Sequence, residues 1–242
     1  MQRLLTIDCW GTLLRNNPDW DWALFIAGKE IIRRFHPELR EEVVVKAFQA
    51  EEVEFSTTLG RDLQTLTLDQ RLNNLVRFCG ISSNIELHLE LQARFQKIIF
   101  EPLPELITGS LEFLSDLRRL DVSIFLICNT GWFSSKAITQ ALDHYGVSKN
   151  LNVMLFSDQV GSAKPSPKMF ELAMAASHCS LENSVHMGDD LEKDVLAARR
   201  LGMSVIYFRP MHPCPTDPMI SCVRNYSEAS DVVRRVLRLP VG

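Results

Sequence analysis

At 242 residues the chain is long enough for one large α/β domain, or for a core domain carrying a smaller insertion. Hydrophobic residues make up 46% and charged residues 23%, and the formal net charge is -4, so bulk electrostatics favour neither nucleic acid nor an anionic membrane as partner. The six cysteines (Cys9, Cys79, Cys128, Cys179, Cys214, Cys222) lack any C-x-x-C pair, which argues against a zinc knuckle and a disulfide framework and reads as reduced thiols.

Met1-Gln2-Arg3 runs straight into an apolar stretch, leaving no room for a signal peptide, and no apolar run approaches the roughly 18–20 residues that cross a bilayer. A cytoplasmic protein is expected. The stretch Leu4–Ile7 reads as a buried strand, closed by Asp8 and by the tight bend at Gly11. An acid therefore stands at the carboxyl end of a strand, where open parallel sheets bind ligands and an unpaired carboxylate is costly. Asp8 is a candidate nucleophile, or alternatively a side-chain cap for the turn.

From about Asp19 to about Phe100 the periodicity is helical. One helix ends before Pro37 and a second covers Glu38 to about Phe55; a linker, Ser56–Arg61, leads to a third helix capped by Thr67 and ending near Cys79-Gly80. Ser82 or Ser83 would cap a fourth. Pro102 and Pro104 close this segment, and strands and helices then alternate as in a parallel sheet. Strands are predicted at Val122–Cys128, Val153–Phe156, Ser184–Met187 and Ser204–Phe208. Helices are predicted over 109–119, 133–144, 167–177 and 192–201, with a proline-rich loop and a last helix, Glu228–Leu237, in the tail.

Three more signals fall at predicted strand ends: Cys128-Asn129-Thr130-Gly131, Gly161-Ser162-Ala163-Lys164-Pro165, and Gly188-Asp189-Asp190 with Asp194. Acids gathered there with Asp8 would repel one another, so some must hold protons or the site must hold cations. A hard ion such as Mg²⁺ suits carboxylates, a backbone carbonyl and waters. Lys164 would supply a fixed charge beside the nucleophile.

In order and spacing these motifs resemble those of the haloacid dehalogenase-like hydrolase superfamily, over about 1–14 and 105–208. The resemblance implies a three-layer α/β/α Rossmann-like core (1–15 and 101–242) and an all-helical cap (16–100). It also implies Asp8, Lys164, Thr12, Cys128 and Asn129 in catalysis, with Mg²⁺ held by Asp8, the Trp10 carbonyl and Asp189, and with Asp190 and Asp194 orienting ligands. Asp194 would otherwise cap the helix that follows it.

Two positions depart from the family pattern. Trp10 stands where the family's phosphatases carry the Asp that protonates the leaving oxygen, a role indole lacks. Cys128 replaces a Ser or Thr hydroxyl with a weaker donor, leaving Asn129 and Thr130 to compensate. Asp8-Cys9-Trp10-Gly11-Thr12 also looks like the Asp-x-Tyr-Gly-Thr of the family's metal-independent 2-haloacid dehalogenases, whose last motif typically lacks Gly-Asp-Asp. The expected function is Mg²⁺-dependent phosphoryl transfer or hydrolysis on a small anionic substrate. The alternatives are a dehalogenase attacking carbon and a non-catalytic descendant that binds a ligand or partner. Trp10, Asn129, Thr130 and Arg61 are candidate substrate contacts, the last weighed against a solvated arginine. Trp20 and Trp22 read as packing between helices, and His186 as a packed core histidine. An exposed apolar face of the helical segment would serve a homodimer.

Overall fold

The apolar run after Gln2 forms β1 (Arg3–Ile7) in the computed structural model, which describes residues 2–82, 84–217 and 219–240 with every side chain except that of Asp62. The chain divides into two units, one of Met1–Asn16, Glu105–Asn129 and Leu142–Gly242, the other of Asn17–Pro104 and Thr130–Ala141.

The second unit holds α1 (Trp20–Phe35), α2 (Glu41–Asp62), α3 (Leu68–Phe78) and α4 (Ile85–Ile98), packed through Leu24, Ile32, Leu72, Leu91 and Phe95. Thr67 begins α3 with a capping box, its hydroxyl accepting from Gln70 N while the Gln70 side chain accepts from Thr67 N. The Ser56–Arg61 stretch is not a linker but the last turns of α2: Gly60 faces open space, where its missing side chain costs only helix propensity. Asn84, not Ser82, caps α4 by accepting from Glu86 N; Ser83 lies outside the described residues.

At the centre of this unit Arg71 is buried. Its guanidinium donates to both oxygens of buried Glu51 (2.9 and 2.5 Å) and to Glu52 (2.8 Å), and lies between the Phe55 and Trp132 rings. Trp132 also packs edge-on against Phe95, at 5.4 Å between ring centroids. These contacts draw residues 130–141 into the helical unit, whereas the sequence boundaries put them with the core.

In the first unit β2 (Val122–Cys128), β3 (Val153–Phe156), β4 (Ser184–Gly188), β5 (Ser204–Phe208) and β6 (Ser221–Val223) join β1 in one sheet, ordered β3-β2-β1-β4-β5-β6. Every pairing is parallel. The central strands are buried runs of Val, Ile, Leu and Phe, as sheets covered on both faces require. The helices α5 (Ser110–Arg119), α6 (Ser135–His144), α7 (Ser157–Val160), α8 (Pro167–Ser177), α9 (Ala197–Arg200) and α10 (Tyr226–Val236) complete the order; α6 spans the division between the units, and a π-helical turn, Leu191–Leu196, precedes α9. Ile7 pairs with Leu126 on one side and Met187 on the other, so the carboxyl ends of β1, β2 and β4 lie side by side.

The tail differs from expectation in two respects. A short strand, β6, had no sequence signal beyond the proline-rich loop. Cys214 and Cys222 form a disulfide, their Cα atoms 5.7 Å apart, so the reading of all six cysteines as reduced thiols is corrected. The loop before β6 folds back on itself, which an eight-residue separation without a motif does not announce. Cys9, Cys79, Cys128 and Cys179 are free thiols. No helix among the described residues is long and apolar enough to cross a membrane.

Candidate active site

Asp8 follows β1 and continues its pairing, its N–H donating to Met187 O at 2.9 Å. The chain then reverses: Leu13 and Leu14 both donate to Cys9 O, and Gly11 donates to Leu14 O at 2.7 Å. Gly11 has φ +74°, and a Cβ there would overlap the Asp189 carboxylate, so both the turn and the approach of the acid demand glycine. At Gly188 the close approach alone demands it, since a Cβ would overlap the Asp194 carboxyl group. From α10, the Tyr226 hydroxyl donates to Thr12 O and fixes the turn from outside.

Lys164 reaches this point from the loop between α7 and α8. Its ammonium, 2% exposed, donates to Asp8 Oδ1 at 2.5 Å and Asp194 Oδ1 at 2.7 Å. Asp194 Oδ1 also meets His186 Nε2 at 3.1 Å, and its Oδ2 accepts from Asp190 N. His186 Nδ1 lies 2.8 Å from the Thr6 hydroxyl, its strand partner on β1. With the imidazole Nε2–H donating to the carboxylate and Thr6 donating to Nδ1, each polar atom is satisfied. His186 is packed in the core, T-shaped against Phe170, and is in addition the group that orients Asp194. The signal for this role was the pairing of a Thr and a His across two buried strands, which only the register reveals.

Asp189 joins the cluster: one carboxylate oxygen each from Asp8, Asp189 and Asp194 lie within 4.8 Å of one another. Asp190 does something else. Its Oδ1 accepts from Glu192 N and Lys193 N, both at 2.9 Å, which caps the following helical turn, and Lys193 pairs with its other oxygen.

Three buried or part-buried carboxylates face one ammonium, so the cluster is short of positive charge. Burial, reinforced by Asp194 and Asp189, pushes Asp8 up to about 7 despite Lys164. Burial and Asp194 raise Asp189 to about 6. Asp194 goes the other way: burial opposes its charge, but Lys164 and His186 outweigh it and hold the carboxyl well below the usual range. Burial likewise opposes the charge of Lys164, and Asp194 with Asp8 overcomes it, holding the ammonium above its usual range. His186 is lowered by burial, Asp194 opposing. The donor set is all oxygen and carries an excess of negative charge, the chemistry that suits a hard divalent cation.

Asn129, expected to act in catalysis and substrate binding, has its amide engaged with the Lys164 main chain at 2.8 Å in both directions. Cys128 is buried at the end of β2 against Cys9, whose thiol is pushed up by burial and by that contact. The Thr12 hydroxyl is buried and has no partner among the described residues. Trp10 sits in the turn, its backbone bridged to Leu14. Thr130 (buried) and Arg61 (exposed, last turn of α2) belong to the helical unit.

The parallel sheet thus gathers a strand-end acid, a lysine and two further acids at one edge. Residues 40–208 match the model of the haloacid dehalogenase-like hydrolase family, and the chain belongs to it. It is similar to a ribulose-1,5-bisphosphate 5-phosphatase of Halopiger xanaduensis, 28% identical over 105 residues that span 43% of each chain, so the likeness covers less than half of that relative. In fold it is similar to a 2-haloacid dehalogenase of Pseudomonas syringae (TM-score 0.73, 18% identity, 97% and 99% of the chains). It also resembles a hydrolase of Bacillus subtilis bound to magnesium (TM-score 0.59, 16% identity, 96% and 98% of the chains).

Proposed function

We propose that the protein is a Mg²⁺-dependent phosphohydrolase or phosphotransferase acting on a small phosphorylated metabolite through an aspartyl-phosphate at Asp8. The observation that carries this reading is the excess of carboxylate over ammonium where Asp8, Asp189 and Asp194 converge, which a metal-independent attack on carbon would leave without purpose. The phosphatase named among its relatives and the magnesium-bound structural neighbour point the same way.

Asp8 and Asp189 would hold the ion, with the Trp10 carbonyl as the family's third protein contact, while Asp194 is occupied by Lys164 and His186. The ion would neutralise the excess charge and polarise the phosphoryl oxygens. Lys164 keeps one oxygen of Asp8 fixed, leaving the other to attack phosphorus. The bond from phosphorus to the leaving oxygen breaks, and the leaving group departs with the electron pair. Water then attacks the aspartyl-phosphate, regenerating Asp8 and releasing phosphate, which takes up the water proton.

Since Trp10 cannot donate a proton, the reading favours leaving groups that need none, such as the carboxylate of an acyl phosphate. The same Trp10 favours a second reading, halide displacement from a 2-haloacid. Turnover of acyl phosphates, phosphate esters and 2-haloacids, with Mg²⁺ or with chelator, separates the two. Phosphate release that requires Mg²⁺ and vanishes in Asp8→Asn supports phosphoryl transfer; chelator-resistant halide release selects the other.

A further inference from the structure

The geometry points to an oxyanion subsite in the sheet unit, in a cavity of about 550 Å³ that opens beside Asp189. Its wall is formed by Arg15 after the first turn, Ile107, Phe208 at the end of β5, and Arg209 and His212 in the loop that follows. Two guanidinium groups and an imidazole thus border one space above an apolar floor.

Arg209 is the anchor. Its main chain donates to Val223 O on β6 at 2.8 Å, and its guanidinium stacks over Tyr207 and donates to the Tyr207 hydroxyl at 2.5 Å. Its Nε is buried without a partner among the described residues, so the ligand-facing donors of this guanidinium are its terminal nitrogens. Arg15 is tied to Glu105 by a loose, exposed pair at 3.4 Å, which a stronger acceptor would displace. The loop is tied to β6 at both ends, by the Arg209 main-chain bond to Val223 and by the Cys214–Cys222 disulfide.

Asp189, the acid in this wall, has a carboxylate oxygen within 4.8 Å of oxygens of Asp8 and Asp194, so its charge belongs to that cluster. The space beyond it is cationic on balance. A planar fork such as guanidinium pairs with two oxygens at once, and the ligand class that follows is a small oxyanion, phosphate or carboxylate. It is either free or the second anionic group of the substrate. The subsite stands on its own geometry and does not depend on the phosphohydrolase reading.

Calorimetric titration of the full chain with inorganic phosphate tests it, comparing wild type with Arg209→Gln and Arg15→Gln, each checked for native circular dichroism. A drop in phosphate affinity of about tenfold or more in either folded variant is the expected result. Unchanged affinity in both overturns the subsite. Should Arg209→Gln not fold, Arg15→Gln decides, together with an anomalous peak between Arg15 and Arg209 in selenate-soaked crystals, whose absence also overturns it. Kinetics identify the source: a KM raised for phosphoglycolate but not for p-nitrophenyl phosphate assigns the second anionic group of a substrate, and equal KM values beside weakened phosphate binding assign a free oxyanion. Absence of all turnover removes the phosphohydrolase reading and leaves the binding result intact.

Discussion

Asn129 and Lys164 hold each other through a reciprocal pair of 2.8 Å hydrogen bonds, the Asn129 Nδ2 donating to Lys164 O and Lys164 N donating to Asn129 Oδ1. The end of β2 thereby sets the height at which the lysine enters the acid cluster. Asn129→Ala leaves a part-buried donor and acceptor unpaired, and is expected to cost about 1–3 kcal/mol in chemical denaturation. With Lys164 misplaced, turnover should fall by about tenfold or more, mainly in kcat. Unchanged kcat in a destabilised Asn129→Ala protein would confine the pair to a structural role.

The charge excess has a pH signature. Between the ordinary 3.8 and about 7 for Asp8, and between 3.8 and about 6 for Asp189, the folded protein holds protons that the unfolded chain has released. Stability of the metal-free protein therefore falls as pH rises through this window. Mg²⁺ binds the deprotonated acids, so its stabilising effect should be larger at about pH 7.5 than at about pH 5, with proton release on binding. Thermal unfolding with chelator and with Mg²⁺ at the two pH values measures both effects. In Asp8→Asn the metal-free slope should flatten.

Much of this architecture was legible in the sequence because parallel strands are continuous apolar runs with punctuated ends: β2, β3 and β5 have the bounds their composition indicated. The positions of Asp8 and Asp189 at strand ends were legible for the same reason, whereas Lys164 lies past α7 and was marked only by its motif. What escaped was decided elsewhere in the chain. Asp190 and Asp194 are adjacent in motif and opposite in use, one capping a helical turn and the other bonded to Lys164 and His186, and the choice rests on side-chain direction. Tyr226 is 214 residues from the carbonyl it holds, and nothing local marks it. The end of α2 was missed because Ser, Thr and Gly argue for a loop when their exposed face is unknown.

Arg71 and Glu51 form a buried pair that either partner alone cannot sustain. Burial raises the Glu51 carboxyl while Arg71 opposes the rise. Arg71→Met is expected to destabilise the protein by about 3–5 kcal/mol, and the Arg71→Met, Glu51→Leu double variant by much less. A denaturant double-mutant cycle gives the coupling, and additive single effects would contradict it.

Trp10 carries the limit on leaving groups. Trp10→Asp restores a carboxyl two residues after the nucleophile and is expected to raise hydrolysis of phosphate esters by about 10²-fold or more, with little change for acyl phosphates. Steady-state rates on one ester and one acyl phosphate check it, and a parallel change on both would show that protonation is not what the indole withholds.

The most direct measurement is the site of covalent capture. Incubation with Mg²⁺ and acetyl phosphate, rapid acid quench and peptide mass spectrometry should find one phosphoryl group on Asp8, absent when chelator replaces Mg²⁺ and absent in Asp8→Asn. Phosphate release with no phosphoryl group on Asp8, or with the group on another residue, would contradict Asp8 as the nucleophile.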